Sequence, residues 1–176
     1  MTGHQTILDL HSLGRHPGEM KQMHLEVSAP TGMAVAMIGV PDESPVVLEL
    51  TCQSAGDGVL VQGLAHVGLE GQCARCLEPF SHTGQFEIEE FYYYPGKGDG
   101  DEEALFVVDD SVDLEPVLRA AVVLNLPFSP LCRDDCAGLC PACGADLNEQ
   151  PGHAHDAAID ARWEALKGFG DSRSAS

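Results

Sequence analysis

The run from Leu131 to Asn148, L-C-R-D-D-C-A-G-L-C-P-A-C-G-A-D-L-N, constrains this chain more than any other stretch, because it holds Cys132, Cys136, Cys140 and Cys143 close together. In Cys140-Pro141-Ala142-Cys143-Gly144 two intervening residues let both sulfurs face one ion, and the glycine can take positive φ and close the turn. Zinc takes four ligands in a tetrahedron, and this run supplies four. A disulfide framework is not expected: the total of seven cysteines is odd, and no apolar leader segment opens the chain. The spacing is also not that of a ferredoxin cluster. A thiol/disulfide redox pair at Cys140 and Cys143 is the alternative from the enzyme class. It calls for a strand-to-helix setting, whereas Pro127 and Pro130 put this pair in a loop.

Two ligand sets compete. Cys132, Cys136, Cys140 and Cys143 would close a local site that needs no particular tertiary arrangement, and this set is preferred. Alternatively Cys73 and Cys76 of Cys73-Ala74-Arg75-Cys76 join Cys140 and Cys143, as in a zinc ribbon whose halves are distant in sequence. Either set is closed, with no position left for water, so the Zn2+ would be structural and not catalytic. The plainer reading of Cys73 and Cys76 is a pair of buried thiols at a strand end. Cys52, mid-strand, reads as core. His153 and His155 follow the cluster and could replace a cysteine ligand, although exposed loop residues before a helix is the simpler account. Arg75 could touch phosphate, with a structural salt bridge as the default. No H-E-x-x-H motif is present, so a zinc hydrolase is disfavoured.

A net charge of −19, with nine Lys and Arg residues in all, makes non-specific binding to a phosphate backbone unfavourable. The same charge suits a basic protein partner and steers its approach. Tyr92-Tyr93-Tyr94 could stack on bases, but it lacks basic neighbours, and strand-end aromatics covering the core is the default. No apolar run is long enough to span a bilayer, and a cytoplasmic protein without a small-molecule substrate is expected.

Along the chain, short strands alternate with turns: Thr6 to Leu10, Met23 to Val27, Met33 to Val40, and the clearest at Val46 to Thr51. Asp57-Gly58 signals a hairpin into Val59 to Gly63. Further strands follow at Ala65 to Cys73 and Phe86 to Phe91, the latter with acidic residues outward. One helix is expected over 113–126, capped by Asp113, with Pro116 in its first turn and Pro127 beyond its end. Leu114, Val117, Leu118, Ala121 and Val122 fall on one face of it. A second helix is expected from Asp156 to Lys167 with Trp163 as packing. The fold class is therefore α+β, mostly an antiparallel β-sheet or partly open barrel with one packed helix, a Cys-rich zinc loop and a short C-terminal helix. Residues 1–128 would form the β-rich domain, 129–150 the metal-binding loop, and 151–176 the C-terminal helix and tail.

The motifs Cys73-Ala-Arg-Cys76-Leu-Glu-Pro, Leu126-Pro127-Phe-Ser-Pro130-Leu-Cys132 and Cys136-Ala-Gly-Leu-Cys140-Pro-Ala-Cys143-Gly-Ala-Asp-Leu147-Asn148, in this order, resemble the YceD family of large ribosomal RNA subunit accumulation proteins. The chain is similar to an actinobacterial-type member with a C-terminal cysteine cluster, from about Leu8 to Trp163. The resemblance implies a bacterial cytoplasmic protein, not an enzyme, needed for normal levels of 23S ribosomal RNA. It also implies ribosomal or RNA-processing proteins as partners, and a gene commonly beside that of a zinc-ribbon ribosomal protein. Some relatives keep the C-x-R-C pair and lack the later cluster, so the family role need not depend on that cluster.

Overall fold

The computed structural model describes residues 6–98, 104–155 and 162. In order these form β1 (Ile7–Asp9), β2 (Met20–Ser28), β3 (Ala34–Val35), β4 (Ile38–Gly39), β5 (Pro45–Ala55), β6 (Gly58–Gln72), β7 (Pro79–Tyr93), β8 (Leu105–Phe106), β9 (Ser111–Asp113) and α1 (Glu115–Val123). The chain divides into two units, Met1–Cys136 and Ala137–Ser176. The division falls inside the 129–150 segment that the sequence presents as one loop. All ten elements belong to the first unit.

The long strand β6 organises that unit. It pairs antiparallel with β7 along its whole length on one edge. On the other edge it pairs with β5 through Gly58–Val67 and with β4 at Glu70 and Gly71. The two segments read from sequence as separate strands, Val59 to Gly63 and Ala65 to Cys73, are this one continuous strand. β2 adds to β5, β8 runs parallel to β7, and β1 pairs with β9 in a small second sheet. The main sheet is mostly antiparallel and open, so the barrel alternative is set aside. The β5–β6 hairpin turns at Gly56-Asp57, with Ala55 facing Gly58, one residue earlier than the Asp57-Gly58 signal suggests.

Period-two alternation decides the core. Val46, Leu48, Leu50 and Cys52 of β5, Val59, Val61, Ala65 and Val67 of β6, and Phe86, Ile88 and Tyr92 of β7 are all buried. Leu114, Val117, Leu118 and Val122 close over them where α1 packs on β7. Each of the Val, Leu, Ile and Phe side chains among them contributes about 1.5–3 kcal/mol when removed from water. The helix is shorter than the 113–126 span. Leu114 is its N-cap, and the Asp113 carboxylate accepts the Glu115 N–H at 2.9 Å. It ends at Val123, and the Asn125 side chain donates to the Ala121 carbonyl.

Met33 to Val40 corrects the expectation of one strand. It is a tight hairpin of β3 and β4, closed by the Val40 N–H donating to Met33 O at 2.9 Å. Gly39 permits this, since a Cβ there would lie 2.4 Å from that of Ala34. The expected helix at Asp156 to Lys167, with Trp163, lies outside the described residues apart from Arg162.

The outward face of the sheet carries the charge. Glu49 pairs across to Leu64, which pairs to Glu87, and Gln62 pairs to Glu89 and donates to its carboxylate at 3.0 Å. Glu26 lies beside them on β2. No Lys or Arg occurs in β5, β6 or β7. Among the described residues, no helix is long and apolar enough to cross a membrane.

Candidate metal centre

Where β6 ends and β7 begins, Cys73 to Glu78 makes a tight turn. The Cys73 N–H donates to Glu78 O at 2.9 Å, and the Leu77 N–H donates back to Cys73 O at 2.9 Å. Leu77 takes a φ of 63° to allow this. The turn aims backbone N–H groups at the first sulfur, with Arg75 N 3.5 Å from Cys73 Sγ. Burial opposes the Cys73 thiolate, but the N–H groups of Cys76, Cys132 and Arg75 outweigh it and bring the thiol down to about 6.

After α1 the chain returns to this turn. The Ala74 N–H donates to Pro130 O at 2.8 Å, and the Arg75 guanidinium donates to Cys136 O at 2.8 Å. Arg75 is thus a clamp on a backbone carbonyl, where the sequence suggested a salt bridge. Leu131 and Phe80 pack against Cys73, Cys76 and Cys136 in a small cluster of their own.

The result is a group of four sulfurs, Cys73, Cys76, Cys132 and Cys136, positioned to hold a metal ion and lying within 4.8 Å of one another. Cys73 to Cys136 and Cys76 to Cys132 are each 3.8 Å. A tetrahedron with Zn–S bonds of about 2.3 Å has edges of about 3.8 Å, while a disulfide would need about 2.05 Å. All seven cysteines are free thiols. Burial and the neighbouring thiols push Cys132 up to about 12. A cation at the centre would reverse that, since a coordinating thiol is deprotonated outright.

Cys140 to Ala145 repeats the same turn. The Cys140 N–H donates to Ala145 O at 2.8 Å, and the Gly144 N–H donates to Cys140 O at 2.8 Å. Gly144 takes the φ of 76° that its position after the second cysteine suggests. Backbone N–H groups of Ala142 and Cys143 draw the Cys140 thiol down to about 6. Around the turn, Leu139 bridges to Asp146, Leu147 N–H donates to Gly138 O, and Asn148 Oδ1 accepts the Ala137 N–H at 2.8 Å. These contacts give Gly138, Asp146 and Asn148 of the motif their structural work.

His153 and His155 join this turn. Each Nε2 lies 3.2 Å from Cys143 Sγ, and the two Nε2 atoms are 2.9 Å apart. Cys140, Cys143, His153 and His155 form a second group positioned to hold a metal ion.

The sulfurs therefore converge in groups that differ from both sets drawn from sequence, Cys132/Cys136/Cys140/Cys143 and Cys73/Cys76/Cys140/Cys143. Each C-x-x-C turn presents one edge of a tetrahedron, and its opposite edge comes from a different pair. Cys73 and Cys76 are buried, as expected of strand-end thiols, but against two further sulfurs. The histidines are the residues that the sequence undervalued. The available signal was H-x-H shortly after C-x-x-C.

Comparison with known proteins places these motifs. The family model described as large ribosomal RNA subunit accumulation protein YceD matches residues 61–170. The chain belongs to the YceD family. An uncharacterized protein of Mycobacterium bovis is 40% identical to this chain over 163 residues, covering 90% of it and 78% of the relative. An uncharacterized Mycobacterium tuberculosis protein matches to the same extent. One from Mycobacterium leprae is 34% identical over 164 residues, covering 91% and 75%. Mycobacterial relatives agree with the actinobacterial type of member read from the motifs. No solved structure matches this chain.

Proposed function

We propose that this member of the YceD family is a non-enzymatic factor of ribosome biogenesis that promotes accumulation of large-subunit (23S) ribosomal RNA. It works in the cytoplasm through protein partners and contains structural zinc. The observation that carries the reading is the family match over residues 61–170, a family described by its effect on large-subunit ribosomal RNA.

The four-sulfur group supports the structural part. Soft thiolates favour zinc over harder-ligand divalent ions, and four of them leave no open position for a reacting water. The acidic outer face of the sheet, with Glu26, Glu49, Glu87 and Glu89 and no Lys or Arg in β5 to β7, suits a basic ribosomal or RNA-processing protein. The two imidazoles at Cys143 favour metal ligation over disulfide exchange for the Cys140–Cys143 pair.

The test is the ratio of large- to small-subunit ribosomal RNA in cells lacking the gene, with and without a restored copy. A drop in the large-subunit species that the copy reverses is expected. An unchanged ratio would remove the function from this member.

A further inference from the structure

We propose that Ala137–His155 is a second metal module, a Cys2His2 zinc site formed by Cys140, Cys143, His153 and His155, whose own fold depends on its ion. Three observations converge on it.

The first is the donor geometry. Cys143 Sγ and the two Nε2 atoms form a triangle with sides of 3.2, 3.2 and 2.9 Å. Zn–S near 2.3 Å and Zn–N near 2.0 Å give tetrahedral edges of about 3.3–3.5 Å. Three ligand atoms stand at nearly this spacing, and one cation at their centre would satisfy all of them.

The second is the turn. Its two backbone hydrogen bonds repeat those of Cys73–Glu78, the turn that serves the four-sulfur group. A positive φ follows the second cysteine in both, at Leu77 and at Gly144.

The third is that, among the described residues, no hydrophobic cluster holds the segment. Among its described residues only Gly138 and Cys140 are buried, and none joins a hydrophobic cluster. Segments below about 40 residues need a metal, a disulfide or a partner to fold, and the cysteines here are free. An ion would supply the hold that, among the described residues, no apolar core gives the turns from Gly138 to His153.

The two sites differ in access. Cys143 and His155 are exposed, whereas Cys73, Cys76 and Cys136 are buried. The Cys2His2 ion should exchange with solvent and be the first taken by a chelator.

The experiment is elemental analysis of the full chain, purified with zinc and a thiol reductant, together with hydrogen exchange. The wild type is expected to carry two zinc ions per chain, and His153→Ala/His155→Ala one. In that variant, protection should vanish across Ala137–His155 and persist through β5, β6 and β7. Cys143→Ser, which alters one exposed atom, should behave likewise. A wild type holding one ion, a variant holding any number but one, or unchanged protection across the segment would overturn the proposal. None of these readouts involves ribosomal RNA, so they stand or fall separately from the functional reading.

Discussion

Cys73 Sγ and Cys136 Sγ lie 3.8 Å apart although 63 residues separate them in the chain. Their approach returns the segment beyond α1 to the turn between β6 and β7, where Arg75 clamps the Cys136 carbonyl. An ion shared by the two residues would act as a staple across the unit.

Cys136→Ser should therefore release that ion and free Leu131 to Cys136 from the turn. Loss of a structural metal is among the large effects of single substitutions, on the order of 4 kcal/mol or more. The main β core has its own buried residues, so far-ultraviolet circular dichroism should retain the sheet while the thermal midpoint falls. Complete unfolding at room temperature would show that the ion organises the sheet as well.

The paired turns make a matched prediction. Leu77 occupies a left-handed position that costs a non-glycine residue about 1–2 kcal/mol, and its side chain is half exposed. Leu77→Gly should raise the urea midpoint of the first unit. Gly144→Ala, at the equivalent position, should loosen the second unit by about 1 kcal/mol. Hydrogen exchange reads each unit separately, and opposite signs are expected.

Tyr92 is buried and its hydroxyl donates to Asp113 O at 2.8 Å, tying β7 to the end of β9 just before α1. Tyr92→Phe leaves that carbonyl without its partner, at a cost of about 1–2 kcal/mol. Chemical denaturation of the two proteins at equal metal content measures it.

Cys52 sets an alkaline limit. Burial raises its thiol from 9.0 to about 11, with Lys21 acting weakly the other way. A folded value above the unfolded one gives stability that is full below the unfolded value and lost as pH rises through the folded one. Between these limits the unfolded thiol ionises while the native thiol cannot, which removes on the order of 2 kcal/mol. Cys52→Ala should lower stability at neutral pH through a small cavity, yet flatten the decline above about pH 9. Parallel slopes for the two proteins would assign the alkaline loss elsewhere.

How much could be read from the sequence varied with the range of the interaction. Strand alternation at Val46 to Thr51 and Phe86 to Phe91, the helix face from Leu114 to Val122, and the Gly144 turn are local patterns, and local patterns survive in one dimension. The family could be recognised because its motifs are contiguous. The grouping of ligands could not be read in the same way, because C-x-x-C specifies one tetrahedral edge and says nothing of the other. Proximity in sequence favoured Cys132 and Cys136 as partners of Cys140 and Cys143. The return of Pro130 to Ala74 and the Arg75 clamp on the Cys136 carbonyl, both remote in sequence, hold them beside Cys73 and Cys76. A histidine in a polar loop is usually solvated, so the positions of His153 and His155 alone carry a weak ligand signal.

That Cys73, Cys76, Cys132 and Cys136 share one zinc ion is tested most directly by X-ray absorption at the zinc edge of His153→Ala/His155→Ala protein. Four sulfur neighbours at about 2.3 Å, with no nitrogen or oxygen in the first shell, are predicted. A shell containing light atoms at about 2.0 Å, or no bound zinc at all, would contradict it.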